Sequence, residues 1–122
     1  MTIKQFEDLV VTALDHLPET FARTLDNVEV VVEIWPTPQD LAAGGVMDPG
    51  MTLLGLYRGV PQTKRSNYTA VLPDKIIIFA GPIVRAYGED GEAVKEQVRK
   101  TVLHEIGHHF GMSDEEIRNA GH

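Results

Sequence analysis

His104 and His108 stand four residues apart with Glu105 directly after the first, in the string His104-Glu105-Ile106-Gly107-His108. Residues four apart on a helix lie one above the other on the same face, so both imidazoles can reach one metal ion. Glu105, offset by one residue, is close enough to address a water on that ion. This is the HExxH pattern of metal-assisted hydrolysis, in which the carboxylate serves as general base. Gly111 and Asp114 extend it to His-Glu-x-x-His-x-x-Gly-x-x-Asp.

A catalytic zinc takes three protein ligands and leaves one position for water. On the same straight helix the next position of the ligand face is Met112, which gives zinc no suitable donor. The chain must therefore turn back, and Gly111 can take the left-handed conformation that such a turn needs. Asp114 is then the expected third ligand, with Glu115 and Glu116 as alternatives. Zinc brings the pKa of a bound water to about 7. Glu105 would take the proton as that water attacks a carbonyl and deliver it to the leaving amine, which is amide hydrolysis. A plainer reading stands beside this one: Gly111 as a helix stop and Ser113 or Asp114 as the cap of the next helix. It accounts less well for two histidines and a glutamate together. His109 lies about 100° around the helix from His108 and is expected to face solvent or make a hydrogen bond, while His16 and His122 are expected at the surface.

The elements that must position these residues are legible in the hydrophobic spacing. Ile3, Phe6, Leu9, Val10, Ala13, Leu14 and Leu17 form a helical stripe that closes at Pro18. The β-branched run Val28–Trp35 predicts a strand, with Glu29 and Glu33 sharing one wetter face. A short helix is expected near Gln39–Ala43 and a second strand over Thr52–Arg58, whose glycines suit a sheet edge. Asp74–Ala80 is a continuous apolar run, the mark of a central strand covered on both faces. Pro82 opens a short helix to Tyr87; a long helix from about Glu92 to Phe110 carries the motif, and a final helix runs to about Asn119. The stretch from Pro61 to Asn67 is polar and expected at the surface.

Composition is that of one ordinary globular domain spanning residues 1–122: 43% apolar, 24% charged, net charge −7. The acidic balance counts against nucleic-acid binding. No cysteine is present, so thiolate ligands and disulfides are excluded. No apolar run reaches bilayer-spanning length and the N-terminus lacks a signal-peptide pattern, so a cytoplasmic location without membrane association is expected.

Residues 104–114 resemble the zincin superfamily of metallopeptidases. The spacing to Asp114 is similar to that of the metzincin branch, with aspartate in place of the usual last histidine. The whole chain resembles the small bacterial zincin-like metallopeptidase proteins. The resemblance implies an α+β mini-zincin: a mixed sheet of three to four strands packed on the long HExxH helix, with an N-terminal helix and a short C-terminal helix. It implies His104, His108 and Asp114 as ligands of one Zn2+ ion, Glu105 as general base, and a peptide or protein substrate. An edge strand above the motif helix would bind that substrate by strand addition, which points to Leu53–Arg58 and to Leu54, Leu56 and Tyr57 within it. Only eight residues follow Asp114, so the expectation is either a shallow active site or a cleft completed by a partner or a second copy. Two other functions compete: a metal-binding but non-catalytic scaffold or regulatory module, and a metal-dependent ribonuclease. Glu105 argues against both, and the acidic charge against the second.

Overall fold

Thr2 caps the first helix by accepting from the Gln5 N–H, and the Gln5 side chain accepts in return from the Thr2 N–H. In this computed structural model the described residues are 1–25, 28–46, 52–59 and 74–120, without the side chains of Thr24, Asp114 and Ala120. The polar stretch expected at Pro61–Asn67 and the C-terminal His122 lie outside the described residues.

Helix α1 (Ile3–Asp15) buries Phe6, Val10 and Ala13, three positions of its expected stripe. Helix α2 (Glu19–Thr24) follows directly and was not expected. Pro18 ends one helix and opens the next, because its fixed φ suits a helix start as well as a stop. Phe21 of α2 is then buried in the same core as Phe6. Strand β1 (Val28–Glu33) leads to helix α3 (Pro38–Ala43), where Thr37 and Asp40 form a second reciprocal cap.

Strand β2 covers Gly55–Arg58, shorter than the expected Thr52–Arg58. Leu53 leaves the strand line to pack on Gly44, where any Cβ would meet its methyl at 2.5 Å. Strand β3 (Asp74–Phe79) is central: the sheet order is β1-β3-β2, with β1 parallel and β2 antiparallel to β3. Ile76 and Ile78 bury into the main core while Ile77 and Phe79 bury on the other face with Leu56. Both faces of β3 are thus covered, as its unbroken apolar run predicts. Glu29 and Glu33 are exposed, as expected.

Helix α4 (Ala80–Tyr87) starts two residues before Pro82, which occupies its first turn where no N–H is needed. Helix α5 (Gly91–His109) is the spine of the molecule and packs on α1, α2, α4, β2 and β3. Val94, Val98 and Val102 are fully buried along its core face, each contributing about 1.5–3 kcal/mol of apolar burial. Helix α6 (Asp114–Ala120) closes the chain of described elements. The protein is therefore the α+β fold that its sequence predicts, with a mixed sheet, three-stranded among the described residues, on a long helix. No helix among the described residues is long and apolar enough to cross a membrane.

Candidate metal centre

Two adjacent stripes of α5 build the site. Because α5 runs unbroken from Gly91 to His109, His104 and His108 lie one turn apart on one stripe. His104 is half-buried and His108 exposed. Two imidazoles sharing a tetrahedral zinc place their ring centroids roughly 5 Å apart. The His104 and His108 centroids are 5.6 Å apart with the rings inclined at 63°, close to that spacing.

The neighbouring stripe is Thr101, Glu105 and His109, each again four residues from the last, and it lies under β2. Gly55 sits over Thr101: a Cβ at Gly55 would meet Thr101 Cγ2 at 2.5 Å and the Ile77 carbonyl oxygen at 3.2 Å. The bare glycine lets the strand lie directly on the helix. The Phe79 N–H donates to the Leu54 carbonyl at 3.0 Å. The antiparallel alternation then turns the backbone groups of Leu54, Leu56 and Arg58 toward β3 and those of Gly55 and Tyr57 away from it. The Tyr57 N–H, pointing away from β3, donates to Glu105 Oε1 at 3.2 Å. The Tyr57 ring stacks on His109, centroids 4.0 Å apart and planes within 14°, and its hydroxyl donates to Asp74 at 2.8 Å. Beyond it, Arg58 pairs with the buried carboxylate of Asp40 at 2.6 Å, tying the strand to α3.

Glu105 is half-buried, and that loss of water pushes its carboxyl above the ordinary glutamate range. The Tyr57 N–H and the charge of His108 oppose the shift without cancelling it.

The third donor depends on how α5 ends. Gly111 has φ +77°, the Gly111 N–H donates to the His108 carbonyl at 3.0 Å, and the Met112 N–H donates to the Gly107 carbonyl at 2.9 Å. This paired bonding is a Schellman stop. Ser113 then caps α6: its hydroxyl accepts the Glu116 N–H at 3.1 Å, and the Glu116 carboxylate accepts the Ser113 N–H at 3.2 Å. Of the three acidic residues expected to compete for the metal, Glu116 is thus engaged in the cap and Glu115 is exposed. Asp114 opens α6, and its side chain lies outside the described residues. Among the described residues no group of three histidines or acids could hold an ion, so the described donor set is the His104–His108 pair.

Of the strand residues expected to meet substrate, Tyr57 stands at the site. Leu56 is buried with Ile77 and Phe79 on the opposite face of the sheet, and Leu54 packs on the main core. His109 is exposed, as expected, and it also stacks on Tyr57. Its four-residue offset from Glu105 is the signal that places it under the same strand.

A family model of zincin-like metallopeptidases matches residues 25–122. No curated protein matches the chain. Among solved structures, a conserved hypothetical protein from Thermus thermophilus is 26% identical, with 89% of this chain and 94% of that one covered and a TM-score of 0.54. With an HExxH helix under an edge strand and a family match over most of its length, the chain belongs to the zincin-like metallopeptidase family.

Proposed function

We propose that this protein is a zinc-dependent hydrolase of peptide bonds, with His104, His108 and Asp114 holding one zinc ion and Glu105 as general base. The observation that carries the proposal is the placement of Glu105. Its half-buried carboxylate follows His104 and accepts the Tyr57 N–H. When bound, zinc supplies Lewis acidity toward water and the substrate carbonyl.

The protein's own groups supply the remaining steps. Glu105 takes a proton from the attacking water, the C–N bond breaks, and the same carboxyl returns the proton to the leaving amine. Its raised proton affinity suits a group that must accept and then give. Asp114 is the third ligand of choice because it follows the glycine reversal and begins the helix that returns along α5. An extended peptide would lie along β2 beside Gly55 and Tyr57. Leu54 and Leu56 serve this reading by anchoring the strand from below and from the far face.

The test combines metal content with turnover. Freshly purified protein should carry about one equivalent of zinc, and His108→Ala should carry almost none. Glu105→Gln should keep the metal while losing roughly 10²–10⁴-fold in turnover on a peptide library. Equal turnover in the Gln variant removes Glu105 from the mechanism. Zinc without hydrolysis in the wild type leaves a metal-binding module.

A further inference from the structure

His109 is outside the ligand pair, yet it touches the strand that holds Glu105. One face of its ring lies parallel to Tyr57 at 4.0 Å, and it meets Phe110 edge-on at 5.0 Å. Tyr57 is engaged at its amide by Glu105, at its ring by His109 and at its hydroxyl by Asp74. Two of these contacts come from α5, one turn apart. Strand β2 has only four residues, so its short ladder with β3 leaves its height above the helix to be set by the contacts beneath it. Gly55 sets how near the strand can come, and a stack at the other end sets how it is seated.

We propose that His109 is a positioning residue for Glu105: its imidazole is the surface on which Tyr57 seats β2, and this seating places the Tyr57 N–H on the Glu105 carboxylate. The donor is a backbone group, so substitution cannot delete it (proline apart). Only its position can be changed, and His109 is the exposed side chain that controls that position. The catalytic consequence rests on the proposed role of Glu105; the seating itself does not.

Amide hydrogen exchange of the zinc-free protein reads the seating directly, because opening of the strand exposes the Tyr57 N–H. Glu105→Ala should speed exchange at Tyr57, establishing that the bond protects it. A stacking contact of ordinary strength corresponds to roughly 3- to 10-fold in the opening equilibrium. His109→Ala should therefore speed exchange at Tyr57 by about that factor, leaving the core amide of Val98 unchanged. His109→Phe should restore the wild-type rate. If His109→Ala also quickens Val98, His109→Leu replaces it, keeping bulk without a π face, with the same expectation at Tyr57.

Wild-type exchange at Tyr57 in both the Ala and Leu variants overturns the proposal, as does failure of Glu105→Ala to change it. A His109→Phe variant as fast as His109→Ala also overturns it. In the zinc-loaded enzyme, His109→Ala should lower kcat with zinc content kept, and His109→Phe should recover it. Absence of hydrolysis in the wild type would remove the reading of Glu105 as a base and leave the exchange results standing.

Discussion

Ile117 fills the space that any side chain at Gly107 would need. A Cβ at Gly107 would come within 2.4 Å of Ile117 Cγ1, and Ile117 is only 2% exposed, so it has nowhere to swing. One of the two variable positions of the HExxH string is thereby a packing position. Helix α6 can lie on α5 because this residue has no side chain.

Gly107→Ala tests that contact against helix propensity. Propensity alone predicts a gain of about 1 kcal/mol. Overpacking of a closed site costs about 1–3 kcal/mol and should win, giving net destabilisation. Ile117→Val in the same chain should recover part of the loss, measured as a coupling in a urea-denaturation cycle. The single variant should also bind zinc at least about 10-fold more weakly if α6 carries the third ligand, since the helix is displaced. A Gly107→Ala protein more stable than wild type would rule the contact out as a constraint.

Gly55→Ala puts a methyl between the edge strand and Thr101 and should lift β2 from the helix. The expected cost is about 1–3 kcal/mol in stability, with turnover lowered by roughly 10- to 100-fold through loss of substrate and base positioning. Thr101→Ser removes the clashing methyl and keeps the hydroxyl that bonds the Gln97 carbonyl. The double variant should therefore regain activity, while Thr101→Ser alone changes little. Independent, additive effects of the two substitutions would contradict the close approach.

Asp40 gives the fold an acid-sensitive joint. The Thr37 N–H, donating at 2.9 Å, is the chief reason its carboxyl sits below the ordinary aspartate range, with Arg58 adding to the effect and burial opposing it. A depressed folded value means that the contribution is complete above the unfolded value, near 4. It is lost as pH falls through the lower folded value. Asp40→Asn should cost about 1–2 kcal/mol at pH 7, through the α3 cap and the Arg58 contact. That difference should hold flat down to about pH 5 and shrink below about pH 4. A gap that narrows already between pH 7 and 6 would assign it to some other group.

Glu105 runs with the opposite sign. Its folded proton affinity is raised, so the carboxyl favours the fold below the unfolded value and works against it as pH rises through the folded one. Glu105→Gln keeps an oxygen for the Tyr57 N–H and removes the charge. In chelator it should be more stable than wild type at pH 7 and lose that advantage at acid pH. Denaturation midpoints at the two pH values check this. No gain at pH 7 would mean that burial costs the carboxylate nothing.

Much of this arrangement can be read from spacing. The stripe of α1, the apolar run of β3 and the four-residue step of the histidines each reflect one periodicity imposed by one neighbour, and each is found as expected. Gly111 is likewise legible, because few residues but glycine take its conformation cheaply. Helix α2 is not, since a proline is both a stop and a start and a single buried Phe21 makes no stripe. For a four-residue edge strand, alternation shows that Leu56 and Tyr57 face opposite ways without showing which way is toward the helix. Gly55 resolves it, but only once Thr101 is known to lie beneath. The same applies to His109, whose place is set by the strand above it rather than by its own helix.

The stop at Gly111 has a consequence for metal choice. Its two hydrogen bonds return to the carbonyls of Gly107 and His108, the same turn that carries the second histidine. With the ligand set proposed above, the backbone from that histidine to the start of α6 would be ordered by these bonds before any ion binds. An ion held by that proposed set would not have to order this turn, so that entropic cost would already be met in folding. Such a preset span would favour a small ion with few ligands at short range and disfavour larger ions, such as calcium, that take more oxygens at longer distances.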